Sequence, residues 1–203
     1  MGTSGHDLGE LRAAAPACRG CELYQRAAQV VFGEGPEDAK VVMIGEQPGD
    51  EEDQKGRPFV GPSGRLLSKA MGEAGLDRQQ IYVTNAVKHF KFIERGKRRI
   101  HAKPSGIEIS ACRPWLEAEL AVIEPEIVVC LGATAAQSLM GPAFRITKER
   151  GNFFAHQWAK QLFATVHPSA ILRVPERYEE EYELFVRDLR SVAAKMKELR
   201  LAS

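Results

Sequence analysis

The sequence predicts an α/β fold of three layers, with helices on both faces of a central, mainly parallel, four-stranded sheet, and three observations carry that expectation. Short apolar runs rich in β-branched residues occur at residues 40–44, 81–85, 127–131 and 162–166. Between them lie segments whose apolar residues recur at helical spacing. No repeat, low-complexity tract or linker divides the chain, so a single domain over residues 1–203 is expected, with residues 1–8 flexible. Strands that alternate with helices need crossover connections, and these cover both faces of the sheet.

The run at 40–44 stops at Gly45, as a buried parallel strand entering a turn does. A helix is expected from Ser63, with Leu66, Leu67, Ala70, Met71 and Ala74 on one face and Gly75 as its stop. The second strand ends at Asn85. Ser105, with Glu108 three residues on, forms a capping box that opens a helix through Cys112, Trp115 and Leu116 to about residue 123. The third strand at 127–131 feeds a helix at 134–140, and the fourth, at 162–166, precedes a charged helix from about 176 to 199. Such sheets bind ligands beyond the carboxyl ends of their strands. The unusual polar segments 45–50, 85–89 and 167–169 all follow strand ends, so they should meet in one cleft.

Composition narrows the function classes. Lys and Arg total 28 against 27 for Asp and Glu, a formal charge of +1, which excludes a uniformly basic nucleic-acid coat but not a local patch. No apolar run approaches the roughly 20 residues of a membrane span, and the start has no charged-then-apolar signal pattern. A soluble, cytoplasmic protein, acting as a monomer, is the expectation.

The four cysteines point to metal rather than to disulfides. Cys18 and Cys21 stand two residues apart within reach of one metal, and Cys112 lies in the first half of a helix. Cys130, mid-strand, reads as a small core residue. His89, leaving the second strand at its carboxyl end, is the better fourth ligand, since imidazole can replace thiolate at an iron–sulfur iron. Spacing alone leaves zinc, an iron–sulfur centre and a redox pair at Cys18 and Cys21 open.

Residues 88–103 hold seven basic side chains against the single Glu94, with Phe90 and Phe92 among them, a composition suited to phosphate. The turn after the first strand has the opposite sign. Glu46, Asp50, Glu51, Glu52 and Asp53 place five carboxylates in eight residues. Glu51 and Glu52 read as solvated, whereas Glu46, between Gly45 and Pro48-Gly49, sits in a tight turn where it can act on a developing cation. Asn85 offers a donor beside an acceptor, the complement of a pyrimidine edge, and a neutral His167 can donate to an oxygen gaining charge.

Taken together, Gly45-Glu-Gln-Pro-Gly-Asp50, Pro58-Phe-Val-Gly-Pro-Ser-Gly-Arg65, Val83-Thr-Asn-Ala-Val-Lys88, Ala111-Cys-Arg-Pro-Trp115 and Val166-His-Pro-Ser169 resemble the uracil-DNA glycosylase superfamily, and within it the iron–sulfur branch, family four. The resemblance runs from Cys18 to the last helix. It implies a uracil-DNA glycosylase-like fold, uracil-containing DNA as partner, a [4Fe–4S] cluster, and Cys18, Cys21 and Cys112 as ligands with His89 in place of the family's cysteine. The insertion Gly96-Lys-Arg-Arg-Ile-His101 is similar to the hallmark of the UdgX subgroup, which stays attached to DNA after excision, and Gln47 fits the same subgroup.

That resemblance gives the residues roles. Phe59 would stack on a flipped uracil, Gln47 would line its pocket, Asn85 would pair with N3–H and O4, and His167 would donate to O2 as charge builds there. His101 would capture C1′, with Glu46 keeping its imidazole neutral and aimed. Asp50 and Asp53 would order the cleft. Lys97, Arg98, Arg99 and Ser169 would contact the DNA backbone. A glycosylase that turns over, with His101 as a mere DNA contact, and a non-catalytic iron–sulfur DNA-binding module are the alternatives.

Overall fold

The computed structural model describes residues 7–201. Helix α1 (Leu8–Ala14) opens it, with Asp7 Oδ1 accepting from the Glu10 N–H at 2.7 Å and Leu8 buried. Of the flexible start expected over 1–8, residues 1–6 lie outside the described residues, while Asp7 and Leu8 form an anchored helix start.

The chain then runs β1 (Val41–Gly45), α2 (Asp50–Lys55), α3 (Pro62–Glu73), β2 (Ile81–Asn85), β3 (Phe92–Arg95), β4 (Arg98–His101), α4 (Gly106–Ile123), β5 (Ile127–Leu131), α5 (Ala133–Met140), α6 (Ile146–Glu149), β6 (Phe153–His156), β7 (Ala159–Thr165), α7 (Pro168–Leu172) and α8 (Tyr178–Leu201). The main sheet has the order β2-β1-β5-β7-β6. Its first four strands are parallel, and β6 pairs antiparallel with β7. The sheet therefore has five strands instead of the expected four. The extra edge strand is half-exposed, and its turn at Gln157-Trp158 carries none of the Asn-Gly or Asp-Gly chemistry that marks a tight hairpin.

Alternating residues of the strands build two cores. Val41, Met43, Val83, Val129 and Phe163 pack under α3 and α8, which contribute Leu67, Met71, Phe185 and Leu189. Val42, Ile44, Val128, Cys130 and Leu162 face α4 and α5 with Leu116, Leu120 and Ala136. Each fully buried aliphatic side chain contributes about 1.5–3 kcal/mol. Cys130 belongs to this second core, and burial pushes its thiol up to about 12. No helix among the described residues is long and apolar enough to cross a membrane.

These layers fix the carboxyl ends of the strands. Ala86 and Val87 donate to the carbonyls of Gly45 and Glu46, at 2.9 and 3.0 Å, and the Gly132 N–H donates to Thr165 O at 2.8 Å. The loops leaving β1, β2, β5 and β7 are thereby knitted into one edge.

Candidate active site

Gly45, Phe59, Asn85 and His167 form a pocket at that edge. A side chain at Gly45 would strike Asn85 Oδ1 and stand 2.8 Å from Phe59 Cζ, so glycine lets both lie directly against the strand end. Phe59 adopts φ +55, a left-handed conformation unusual for a bulky residue. The start of α3 holds it there, because Gly64 packs against the Phe59 carbonyl with no space for a β-carbon. The Phe59 and His167 rings stack at 6.3 Å. Asn85 is only 3% exposed, and its side-chain amide, which lies against Gly45, takes part in none of the hydrogen bonds found among the described residues.

His167 caps α7, its Nδ1 accepting from the Ser169 N–H at 3.1 Å with the Ser169 hydroxyl at 2.8 Å. Burial lowers its pKa to about 4, against the pull of the Glu46 carboxylate. The ring is therefore neutral near pH 7, and with Nδ1 accepting, the proton sits on Nε2. Ser169, expected to contact DNA, turns its amide and hydroxyl to this imidazole in the structure.

Glu46 lies beside the pocket. Its Oε1 is 3.3 Å from His101 Nε2, and its other oxygen accepts from the Thr134 hydroxyl at the start of α5. Burial opposes its ionisation, but the bonds from His101 and Thr134 prevail and hold its pKa below the usual carboxylate range. Thr134 is a site residue that sequence reasoning missed. His101 ends β4, half-exposed, with its ring 6.2 Å from that of Phe90.

The segment that delivers His101 is an ordered hairpin. Gly96, at φ +59, takes the first turn position, as glycine does in a type II′ connection. Phe92 pairs with His101 and Glu94 with Arg99. Gln47 clamps the hairpin base: its Nε2 donates to the carbonyls of Lys91 and Ala102 at 3.1 Å each, and its Oε1 accepts from the Lys91 N–H at 3.0 Å. Gln47, expected to line the base pocket, has both ends of its amide on the backbone of the hairpin, next to His101 at Ala102.

Arg99 is the second clamp. Its guanidinium meets Asp53 Oδ2 at 2.6 Å and Asp50 Oδ1 at 2.5 Å while lying over the rings of Phe90 and Phe92. Arg99, expected to contact phosphate, is thus paired with two carboxylates in this structure. Asp50 and Asp53, expected to order the cleft, anchor the hairpin from α2, and the Asp53 carboxylate also accepts from the Ala28 N–H. Lys97 and Arg98 are exposed at the hairpin tip and form no ion pair among the described residues, which suits them to phosphate.

Glu52, expected to be solvated, is buried and joins two loops, accepting from the Gly49 N–H at 3.1 Å and the Gly61 N–H at 2.9 Å. Its signal was the spacing Gly49-x-x-Glu52, half of a capping box with glycine at the cap. Glu51 is exposed as expected and pairs with Lys55.

The cysteine region lies behind the loop that follows β2. Cys18 accepts from the Trp115 indole N–H at 3.1 Å, and Cys112 accepts from the Lys88 backbone N–H at 3.2 Å. Cys21 and Cys112 share a small apolar cluster with Leu23, Val87 and Trp115, and burial raises both thiols, Cys112 to about 11. His89 is buried on the same loop, beside Arg19, and borders a cavity of about 730 Å³. Among the described residues no three His, Cys, Asp or Glu side chains are grouped around a single ion position. A cubane spreads its ligands over four irons, however, and two N–H groups directed at cysteine sulfurs are the environment that cluster thiolates use. The cysteine residues fit such a group.

The family model "Uracil DNA glycosylase superfamily" matches residues 32–190. A type-4 uracil-DNA glycosylase from Thermotoga maritima is 40% identical over 157 residues, covering 77% of this chain and 78% of the relative. One from Sulfurisphaera tokodaii is 38% identical over 78% of this chain and 73% of its own length, and one from Archaeoglobus fulgidus is 36% identical over 82% and 83%.

Proposed function

This chain belongs to the uracil DNA glycosylase superfamily, and from that premise we propose that it excises uracil from DNA, single-stranded DNA by preference, and ends joined to the abasic sugar through His101. The observation that carries the second half is the contact of His101 Nε2 with Glu46 at the mouth of the base pocket.

A uracil flipped into the pocket would stack on Phe59 and present N3–H and O4 to the side-chain amide of Asn85. The Nε2–H of neutral His167 would donate to O2 while the C1′–N1 bond breaks and its electron pair leaves with uracil. One imidazole nitrogen of His101 would bond to the electron-poor C1′, and the proton that the imidazole sheds would pass to Glu46. A tethered nucleophile competes with water through its effective concentration. Gln47 and Arg99 support this reading because they hold the hairpin in a single place. Lys97 and Arg98 would take the flanking phosphates.

Cys18, Cys21 and Cys112 would hold a [4Fe–4S] cluster with His89 as the fourth ligand. When bound, it would tie the N-terminal segment and α4 to the loop after β2 through bonds from iron to the cysteine sulfurs and to the His89 imidazole.

A denaturing gel of the protein mixed with a uracil-containing oligonucleotide tests the proposal. A heat-stable shifted band is the expected result. Abasic product without a shift makes the protein a glycosylase that turns over, and neither product nor shift leaves only DNA binding.

A further inference from the structure

Behind Asn85 lies a buried ion pair that the chemistry above does not use. Lys88 and Glu119 are 1% and 0% exposed, with Nζ 2.5 Å from Oε2. All three ammonium protons have acceptors, since Nζ also donates to Thr84 Oγ1 at 2.6 Å and to the Asn85 carbonyl at 2.8 Å. Glu119 in turn accepts from Thr84, from the Tyr82 hydroxyl at 2.9 Å and from the Gly33 N–H at 3.0 Å. The backbone N–H of the same Lys88 reaches Cys112, seven residues before Glu119 on α4.

We infer that Lys88, paired with Glu119, is the positioning residue that sets the aim of Asn85 and joins the base pocket to the cysteine region. The inference rests on the uracil reading of the same pocket and deepens it. Three points support it. The Asn85 side chain packs directly on Gly45, so its place in the pocket follows that of its backbone, and the Lys88 ammonium grips the carbonyl of that backbone. A buried ion pair adds little stability over an apolar pair of similar volume, so what this one supplies is geometry. Lys88 also touches α4 twice, through Glu119 and Cys112, so a shift of the cysteine region reaches the Asn85 backbone through Lys88 as well as through Thr84.

The test is the double variant Lys88→Met/Glu119→Gln, which leaves no unpaired buried charge, with the shape-conserving Thr84→Val as a milder probe of the same network. Val192→Ala, on the far face of the sheet, controls for plain destabilisation. Two readouts are taken: the single-turnover rate of uracil release, and hydrogen exchange of peptides spanning residues 81–90. In the double variant the rate is expected to fall roughly 10- to 100-fold, the scale of a small misplacement of a binding group. Exchange at 85–89 is expected to rise about tenfold while 127–131 stays protected. Thr84→Val should move both readouts in the same direction, and Val192→Ala neither. Wild-type rate and protection in the double variant overturn the inference, as does equal loss in Val192→Ala. Absence of uracil release from the wild type overturns the functional reading instead, and the exchange comparison still decides whether Lys88 holds residues 85–89.

Discussion

Arg99 Nη1 lies 2.6 Å from Oδ2 of the fully buried Asp53, and this pair fastens the hairpin that ends in His101 to helix α2. Replacing Arg99 with Met should cost about 1–3 kcal/mol, because Asp53 keeps the Ala28 N–H but loses its cation. The larger effect should fall on capture of the sugar. Covalent attachment is expected to slow about tenfold or more while uracil release falls less, since the pocket residues do not touch Arg99. Single-turnover time courses on denaturing gels, alongside thermal unfolding, separate the two effects. Equal loss of release and attachment would count against a positioning role.

Gly45→Ala tests the pocket floor. The added methyl would meet Asn85 Oδ1 and Phe59 Cζ, so one of them must move. Uracil release is expected to fall by about 100-fold with little change in affinity for uracil-free oligonucleotide, measured by fluorescence anisotropy. A wild-type rate would mean that Asn85 and Phe59 do not hold the base.

The burial of His167 gives folding a defined pH dependence. Its folded pKa of about 4 lies below the unfolded value of roughly 6.5. Between those values the unfolded chain binds a proton that the folded chain refuses, so stability falls as pH drops from 6.5 toward 4, by at most about 3 kcal/mol. Urea unfolding at pH 7 and pH 4.5 should show this loss, and His167→Gln should reduce it. An identical pH slope in the variant would place the titration elsewhere.

The cysteine assignment divides the four thiols. His89→Ala or Cys112→Ala should reduce bound iron and its visible absorbance, whereas Cys130→Ala, in the core beneath α4 and α5, should keep both at a cost of roughly 1 kcal/mol. Iron retention after loss of His89 would remove it from the ligand set.

What was legible in the sequence was what depends on near neighbours. Val41–Gly45 and Ile127–Leu131 are buried at every position, so they read as parallel strands, and Ser105 with Glu108 closes the capping box that its spacing announced. The convergence of Glu46, Asn85 and His167 followed from strand ends alone. The roles of Gln47 and Arg99 did not, because their partners lie 44, 55 and 46 residues away and no local pattern encodes such a contact. Both were read as ligand contacts through the resemblance of the motifs that hold them. The burial of Glu52 was hidden by the acidic run around it, since its acceptor bonds to Gly49 and Gly61 depend on how the two loops fold. The half-exposed strand β6 lacked the buried run that marked the others.

His101→Ser is the most direct test of covalent capture. Incubated with a uracil-containing single strand, boiled in detergent and run on a denaturing gel, the wild type should give a shifted, heat-stable band. His101→Ser should give none, while releasing uracil over many turnovers. A heat-stable band that persists in His101→Ser would contradict the assignment of His101 as the residue that captures the sugar.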